Sequence, residues 1–177
     1  QIRLVKKGDA APSSDGANVD YAFKKKPMSL TYRAHVSNVG WQGAVSDGAT
    51  AGTIGRGLAL EDLKLSIDSS DYSDGSAVQI DAHVSGIGWQ GWDTPSASEG
   101  GTTGQGRAVE AVRLRLTGSL AKDYDVYYRV HASNIGWMAW AKDGEEAGTT
   151  GFGRSVEAVQ IRLVKKGDAA PSSDGAN

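Results

Sequence analysis

The chain contains no cysteine among its 177 residues, which excludes disulfide bonds and thiolate metal sites. It also lacks any apolar run that approaches the roughly 20 residues needed to span a membrane, and its first residues show no signal-peptide pattern. Basic residues are scattered along the chain and the formal net charge is -2. We therefore expect a soluble chain, or the mature part of an exported one, with neither nucleic acid nor a membrane as its partner.

The sequence instead contains one motif written three times. His35, His83 and His131 fall 48 residues apart, and a Gly-Trp pair follows each of them at the same distance. Further on, AGTIG, GGTTG and AGTTG precede GRGLALE, GQGRAVE and GFGRSVE. A fixed period of this length predicts pseudo-symmetric units that are each too small to bury an apolar face alone. We assign a single domain at 29–167, with repeats at about 29–71, 77–119 and 125–167.

Alternating apolar and polar residues predict two half-buried strands in each copy, as in the segment from Tyr128 to Ser133. A short third strand is predicted through each Gly-Trp pair, and no segment shows a sustained helical period. Closure around a threefold axis suits three such copies, because open stacking would leave two sheet edges unprotected. We predict an all-β, pseudo-threefold body that is β-trefoil-like, with a three-sheet β-prism as the alternative.

The two ends of the chain repeat each other. Residues 1–18 are identical to residues 160–177. Since 160–164 is predicted to be the last strand of copy three, the first five residues are predicted to be an equivalent strand that takes part in assembly, followed by a linker to residue 28; residues 168–177 form a linker tail. These five are Gln1, Ile2, Arg3, Leu4 and Val5. The repeated segment is an overlapping overhang, the junction of a longer array, or a strand exchanged with a neighbouring copy.

The five tryptophans fall into two groups. The first one of each copy, Trp41, Trp89 or Trp137, is present throughout and is predicted to be a structural wedge in the core. The second one is present as Trp92 and Trp140 in copies two and three. Copy one has Ala44 at that position, a change that costs about 3–5 kcal/mol in a core. The second tryptophan is therefore a candidate for ligand binding.

An arginine is lost together with this second tryptophan. Copies two and three have Arg107 and Arg154, where copy one has Leu58. Aromatic faces stack on sugar rings or planar groups, and guanidinium groups supply fixed donors. We predict two ligand-binding pairs, Trp92 with Arg107 and Trp140 with Arg154. The alternative is that each pair is a cation-π contact without a ligand.

The remaining repeated polar residues are predicted to be structural. Alternation places Glu61, Glu110 and Glu157 on the apolar face, where they need donors such as an indole N–H, backbone amides or the histidines. A threefold axis could bring the three histidines together as a metal site, but hydrogen-bonded structural histidines are preferred. No second acidic residue is repeated in all three copies, so the pair of carboxylates that a glycosidase needs is missing. We predict no enzyme activity, no metal and no cofactor.

The segments HVSNVGWQGAVSDGATAGTIG, HVSGIGWQGW and HASNIGWMAWAKDGEEAGTTGFGRSVEAVQIRL resemble the clostridial hydrophobic repeat with a tryptophan, the ChW repeat. The resemblance implies a secreted or surface-attached protein of a Gram-positive bacterium that binds a glycan or cell-wall polymer. Copy one departs from the pattern at Ala44, Leu58 and Asp62. The competing hypothesis is a structural block of a tandem surface array or fibre, which pairs with neighbouring copies of itself.

Overall fold

A computed structural model of the chain describes residues 28–93 and 98–173. The described part is nearly all β, as predicted from the alternation of apolar and polar residues. No helix among these residues is long and apolar enough to cross a membrane. The predicted assembly strand at Gln1–Val5 and the linker that follows it lie outside the described residues.

The elements are numbered in chain order. They are β1 Leu30–Val36, β2 Gly40–Trp41, β3 Val45–Ser46, β4 Ala51–Gly52, β5 Leu60–Ile67, β6 Val78–Val84, β7 Gly88–Trp89, β8 Glu99–Gly101, β9 Val109–Leu116, α1 Leu120–Asp123, β10 Tyr124–Ala132, β11 Gly136–Trp137, β12 Ala141–Lys142, β13 Ala147–Gly148 and β14 Val156–Lys165. The one-turn helix α1 joins copies two and three, and its Leu120 is fully buried.

Each copy is built on one pair of long antiparallel strands, which are β1 with β5, β6 with β9 and β10 with β14. Burial alternates strictly along β1, where every second residue is buried and His35 belongs to the less buried face. The short strands β2, β7 and β11 carry the Gly-Trp pairs and place each tryptophan beside the histidine of its own copy. The predicted period of two therefore describes these strands correctly.

The three sheets are closed into a ring by exchange of one short strand between copies. Strand β8 of copy two pairs with β5 of copy one, and β13 of copy three pairs with β9 of copy two. Strand β4 of copy one pairs with β14 of copy three and completes the cycle. Each long pair is thereby covered at one edge by its neighbour, which removes the unprotected edge that an open stack would leave.

The sheets remain three separate antiparallel sheets. No barrel closes among the described residues, so the barrel of a β-trefoil is not formed. The all-β, pseudo-threefold prediction is confirmed, and of its two forms the three-sheet arrangement is the one observed. The reason is the strand exchange, which links each sheet to the next through a two- or three-residue strand instead of through a continuous barrel wall.

The core lies between the inward faces of the three sheets and is formed by aliphatic side chains and two tyrosines. Tyr32 and Tyr128 are almost completely buried, and copy two has Ile80 at the same position. The Tyr32 hydroxyl donates to the Ala49 carbonyl and accepts from the Ile161 amide at 3.1 Å, so it ties copy one to copy three. Burial raises the pKa of Tyr128 to about 12. The Tyr128 hydroxyl donates to the Glu145 carbonyl, so both hydroxyls are hydrogen-bonded inside an otherwise apolar core.

A glycine forms the contact point of each exchanged strand. Gly52, Gly101 and Gly148 have φ of +109°, +137° and +123°. A Cβ on Gly101 would lie 2.4 Å from the Glu61 carbonyl oxygen and 2.6 Å from the Asp62 Cα. Gly148 meets copy two in the same way, and Gly52 meets copy three. Both the backbone conformation and the close approach exclude a side chain. The glycine at the second position of AGTIG, GGTTG and AGTTG is therefore the point at which one copy packs on the backbone of its neighbour.

Candidate functional site

A β-bulge aims each repeated glutamate at the histidine of its own copy. In copy one, His35 is paired with Asp62 and Val36 with Leu60, so Glu61 is the extra residue. The same shift occurs at Glu110 and Glu157. Alternation had assigned these side chains to the apolar face, and that prediction is wrong because a bulge changes the face on which a residue lies.

The three histidine–glutamate contacts have nearly the same geometry. Nδ1 of His35 lies 3.0 Å from Glu61 Oε2, with 3.0 Å for His83 and Glu110 and 3.1 Å for His131 and Glu157. The distance suits an ion pair, although the atoms lack the alignment of a hydrogen bond. Within residues 28–93 and 98–173, no three His, Cys, Asp or Glu side chains are grouped to hold a metal ion. Each histidine instead faces the glutamate of its own copy, the arrangement expected of a structural brace.

The tryptophans lie on the outer faces of the sheets. Trp41, Trp89 and Trp137 are each partly exposed and take no place in the buried core. Each one meets the histidine of its own copy edge to face, with ring centroids 5.4–5.6 Å apart. The prediction that they are core wedges is therefore wrong. The inward positions of the strands are already filled by aliphatic residues and tyrosines, so the indoles pack on the opposite surface.

The outer face of copy two carries a stack of indoles and guanidinium groups. Arg113 Cζ lies 3.8 Å from the Trp89 ring centroid and Arg115 Cζ lies 4.1 Å from that of Trp92. Arg115 Nε also donates to Gln79 Oε1 at 2.9 Å, which fixes the guanidinium in place. Two partly exposed aromatic rings are thus held on one face by cation-π contacts. We call this set, Trp89, Trp92, Arg113 and Arg115, the copy-two platform.

The outer face of copy three is built differently. One guanidinium, that of Arg129, lies between two indoles, 5.0 Å from the Trp137 centroid and 4.8 Å from that of Trp140. The Trp140 Nε1–H donates to the Ser172 carbonyl at 2.9 Å. Pro171 and Ser172 therefore lie beside this face and help to line a cavity of about 310 Å³ next to Trp140. The tail of the chain packs against the indole that was predicted to bind a ligand.

The structure does not bring the predicted arginines to these indoles. Arg107 is exposed and its Nη1 donates to the Ser85 carbonyl at 3.1 Å. Trp92 lies near Ile80, because the Asp93 amide next to it donates to the Ile80 carbonyl at 3.0 Å. Ile80 and Ser85 are separated by five residues of nearly extended chain, which is roughly 16 Å. Trp92 and Arg107 thus lie near opposite ends of β6.

Copy three repeats this separation between Trp140 and Arg154. Trp140 precedes Ala141, which is paired with Tyr128, whereas Ser155 next to Arg154 accepts from the Ser133 amide at 2.9 Å. The cations that stack on the indoles are instead strand residues, namely Arg113, Arg115 and Arg129. Spacing of two residues along a strand could have identified them, since Arg129 and His131 share a face of β10.

Copy one has a carboxyl group buried at its junction with copy two. Asp62 is 3% exposed and stands where the other copies have Ala111 and Ala158. Burial, together with the neighbouring Glu99, raises its pKa to about 7. Its Oδ1 has no hydrogen-bond partner in the described part of the chain. An ionised Asp62 is therefore costly at this junction.

Asp62→Ala is expected to remove a pH dependence of stability. Because the folded pKa of about 7 exceeds the ordinary 3.8, the folded chain retains a proton that the unfolded chain has lost in this interval. The free energy of unfolding therefore falls as pH rises from about 4 to about 7 and then levels off. The free energy of unfolding is measured with urea at pH 5 and pH 8. Between these pH values, the value for the variant is expected to rise relative to that for the parent by up to a few kcal/mol.

The matched control for this measurement is Asp168→Ala, which removes an exposed carboxylate. Its difference from the parent is expected to be the same at both pH values. If the free energy of unfolding changes by the same amount in Asp62→Ala and in the parent between pH 5 and pH 8, the assignment of the titration to Asp62 is wrong.

Comparison with protein families shows three matches to one family model. The model for the clostridial hydrophobic W repeat, ChW, matches residues 35–68, 83–118 and 131–165, more than half of the chain. The chain belongs to the ChW repeat family. The histidine, the Gly-Trp pair and the glutamate all fall inside each ChW match, so the contacts of the histidine with the glutamate and the tryptophan belong to the structural unit of the repeat. No curated protein and no solved structure matches the chain.

The family match confirms the resemblance read from the sequence. ChW repeats are found in surface or secreted proteins. The family and the all-β repeat fold together suggest a non-enzymatic module. The matches begin at each histidine and end near the last residues of the second long strand, and the predicted repeats have the same order and spacing.

Proposed function

We propose that this chain is a non-catalytic binding module of a secreted or cell-surface protein, and that it recognises a carbohydrate or cell-wall polymer. The observation that carries the proposal is the copy-two platform, in which two partly exposed indoles stack on arginines that are two residues apart on the same strand, β9. Flat aromatic rings offer a large contact area at a small cost in conformational entropy. Ring stacking of this kind suits the apolar faces of sugars.

The polar neighbours of these indoles support the same proposal. Arg115 is held by Gln79, whose Nε2 donates to the Asp93 carbonyl at 2.7 Å. Arg113 Nη2 lies 3.5 Å from Oε2 of Glu146, which belongs to copy three. Donors and acceptors are thus fixed around the rings before any ligand arrives, which reduces the ordering cost of binding. The platform combines apolar faces with oriented polar groups, as sites for polyhydroxylated ligands require.

Copies two and three contribute unequally to the proposed binding. The Trp140 indole already donates to Ser172 in the tail, so a ligand there would have to displace or accommodate that segment. Trp92 makes its described ring contact with Arg115 alone. We therefore assign the principal ligand contact to Trp92 rather than to Trp140. Several modules on one surface would still gain avidity by acting together.

Trp92→Ala is expected to weaken retention on purified Gram-positive cell walls by about tenfold or more, the loss typical of a central aromatic contact. The measurement is co-sedimentation of the purified protein with the insoluble walls over a concentration series. Phe152→Ala is the matched control, because Phe152 is a 78% exposed aromatic residue outside the platform. Thermal melts establish that both variants are folded. Equal retention of Trp92→Ala and the parent would contradict the proposal.

A structural role in a tandem array is the second candidate. It is supported by the identity of residues 1–18 and 160–177 and by the packing of Pro171 and Ser172 beside Trp140. A linker that packs on the unit it leaves would set the direction of the next unit. On this alternative, Trp92→Ala leaves cell-wall retention unchanged, so the same experiment distinguishes the two functions.

A further inference from the structure

Copy one presents an arginine with only one of its two faces covered by an indole. Arg33 of copy one and Arg129 of copy three occupy the same strand position, two residues before the histidine. Arg129 stacks between two indoles at 5.0 and 4.8 Å. Arg33 stacks on Trp41 at 4.8 Å, and no second ring covers it among the described residues, because Ala44 stands where copy three has Trp140.

A cavity occupies the place of the missing indole. Its volume is about 230 Å³, and Arg33, Ala44, Lys64 and Ser66 are among the residues that line it. The residues at the same positions in copy three, Arg129, Trp140, Gln160 and Arg162, line the cavity beside Trp140. The two cavities therefore share these four positions. We call the copy-one cavity the slot; it lies where copy three holds the Trp140 ring.

The slot carries an excess of positive charge. Arg33 and Lys64 are directly opposite each other on β1 and β5, an arrangement that is unfavourable for two like charges. Glu99 lies 2.8 Å from the Lys64 Nζ and compensates that cation. No carboxylate of the described residues lies within ion-pair distance of Arg33. The net positive charge at the slot therefore remains with the guanidinium.

We propose that copy one binds a small planar aromatic anion in this slot. The ring stacks on the open face of the Arg33 guanidinium, as Trp140 stacks on Arg129 in copy three. The negative substituent offsets the uncompensated charge of the Arg33 guanidinium, and the small Ala44 side chain leaves room for the ring. Copy one, in which the sequence predicted no ligand-binding pair, is on this view the copy that accommodates a ring supplied by the ligand.

Indole-3-acetate is the first probe, and chemical-shift mapping on the Ala44 amide follows its binding to the full chain. The dissociation constant is expected on the order of 1 mM, the range for a ligand of this size. Indole is expected to bind more weakly, and the cation tryptamine about tenfold more weakly than the acetate. Tryptamine binding as tightly as indole-3-acetate would overturn the anionic part of the proposal.

Two variants test the position of the ring. Ala44→Trp fills the slot with the residue of copies two and three and is expected to abolish binding. Arg33→Gln retains the cavity and is expected to weaken binding about fivefold or more, since it removes the cation from the ring face. The matched control is Arg56→Gln, an exposed arginine of copy one outside the slot, which loses the same charge and should bind as the parent does.

Three results would overturn the assignment. The first is unchanged binding in a folded Ala44→Trp variant, and the second is an equal loss in Arg33→Gln and Arg56→Gln. The third concerns the source of the ring. N-acetyl-tryptophanamide represents an aromatic side chain of a polypeptide, and tighter binding of this uncharged probe than of indole-3-acetate would assign the slot to a side chain instead of a free anion. Cell-wall retention through Trp92 is independent of all three.

Discussion

Gly101→Ala is expected to lower the free energy of unfolding by about 3 kcal/mol or more. Losses of this size are typical of substitutions that force two backbone segments apart. Gly101 has φ of +137°, and an added Cβ would lie 2.4 Å from the Glu61 carbonyl oxygen. The obstacle is backbone rather than a flexible side-chain end, so neither copy can relax without separating β8 from β5. Urea unfolding followed by tryptophan fluorescence measures the loss.

Gly104→Ala provides the matched control for this prediction. Gly104 also has positive φ, +69°, but no atom lies within 4 Å of its added Cβ. Its cost is therefore limited to the left-handed conformation, about 1–2 kcal/mol. Equal losses in the two variants would show that backbone conformation, rather than docking of one copy on the next, explains the glycine.

Separation of β8 from β5 has a second expected consequence. Strand β8 covers one edge of β5, and an uncovered edge offers unpaired amides and carbonyls to another chain. The Gly101→Ala variant is therefore expected to self-associate at protein concentrations at which the Gly104→Ala variant has the same oligomeric state as the parent. Analytical ultracentrifugation of both variants tests this consequence alongside the unfolding experiment.

His83→Ala is expected to cost about 2–4 kcal/mol, because it leaves a buried acidic side chain without its facing imidazole. The Glu110 side chain is 9% exposed and its Oε2 lies 3.0 Å from His83 Nδ1. The substitution also removes the imidazole that meets the Trp89 ring edge to face at 5.4 Å. The loss is measured by urea unfolding at neutral pH.

A double-mutant cycle separates the pair from the packing. With Glu110→Ala and the double variant, the coupling between His83 and Glu110 is expected to be about 1 kcal/mol or more. Ser85→Ala, two residues further along the chain at a partly exposed position, is a control that should change stability by less than about 0.5 kcal/mol. A coupling near zero would mean that the two side chains are neighbours without mutual stabilisation.

Much of the fold could be predicted from the sequence because the signals are local and repeated. The period of two along β1 and β10 gave the strands, and the 48-residue spacing of His35, His83 and His131 gave three equivalent units. The threefold arrangement followed, since units of this size cannot bury a core alone. The short strands at the Gly-Trp pairs were also predicted correctly.

The candidate site was predicted less well. The loss of the second tryptophan in copy one is local information, and it pointed to Ala44, Trp92 and Trp140. Its pairing with Arg107 and Arg154 was wrong in geometry, because nearness in the chain does not specify the end of a strand at which a side chain lies. The core position of Trp41 was wrong as well, since an aromatic residue repeated in every copy can pack on either face.

The sequence by itself determined the repeat, the strands, the family and the inequality of the three copies. Only the tertiary structure decided that β4, β8 and β13 each cross to another copy, and that a bulge turns Glu61 toward His35. It also decided that, among the described residues, Arg33 stacks on one indole whereas Arg129 stacks on two. The physical reason is that periodicity records the face of a strand on which a residue lies. Contacts between residues far apart in the chain depend on how the sheets dock, and a one-residue bulge or a glycine without Cβ alters that docking without changing the period.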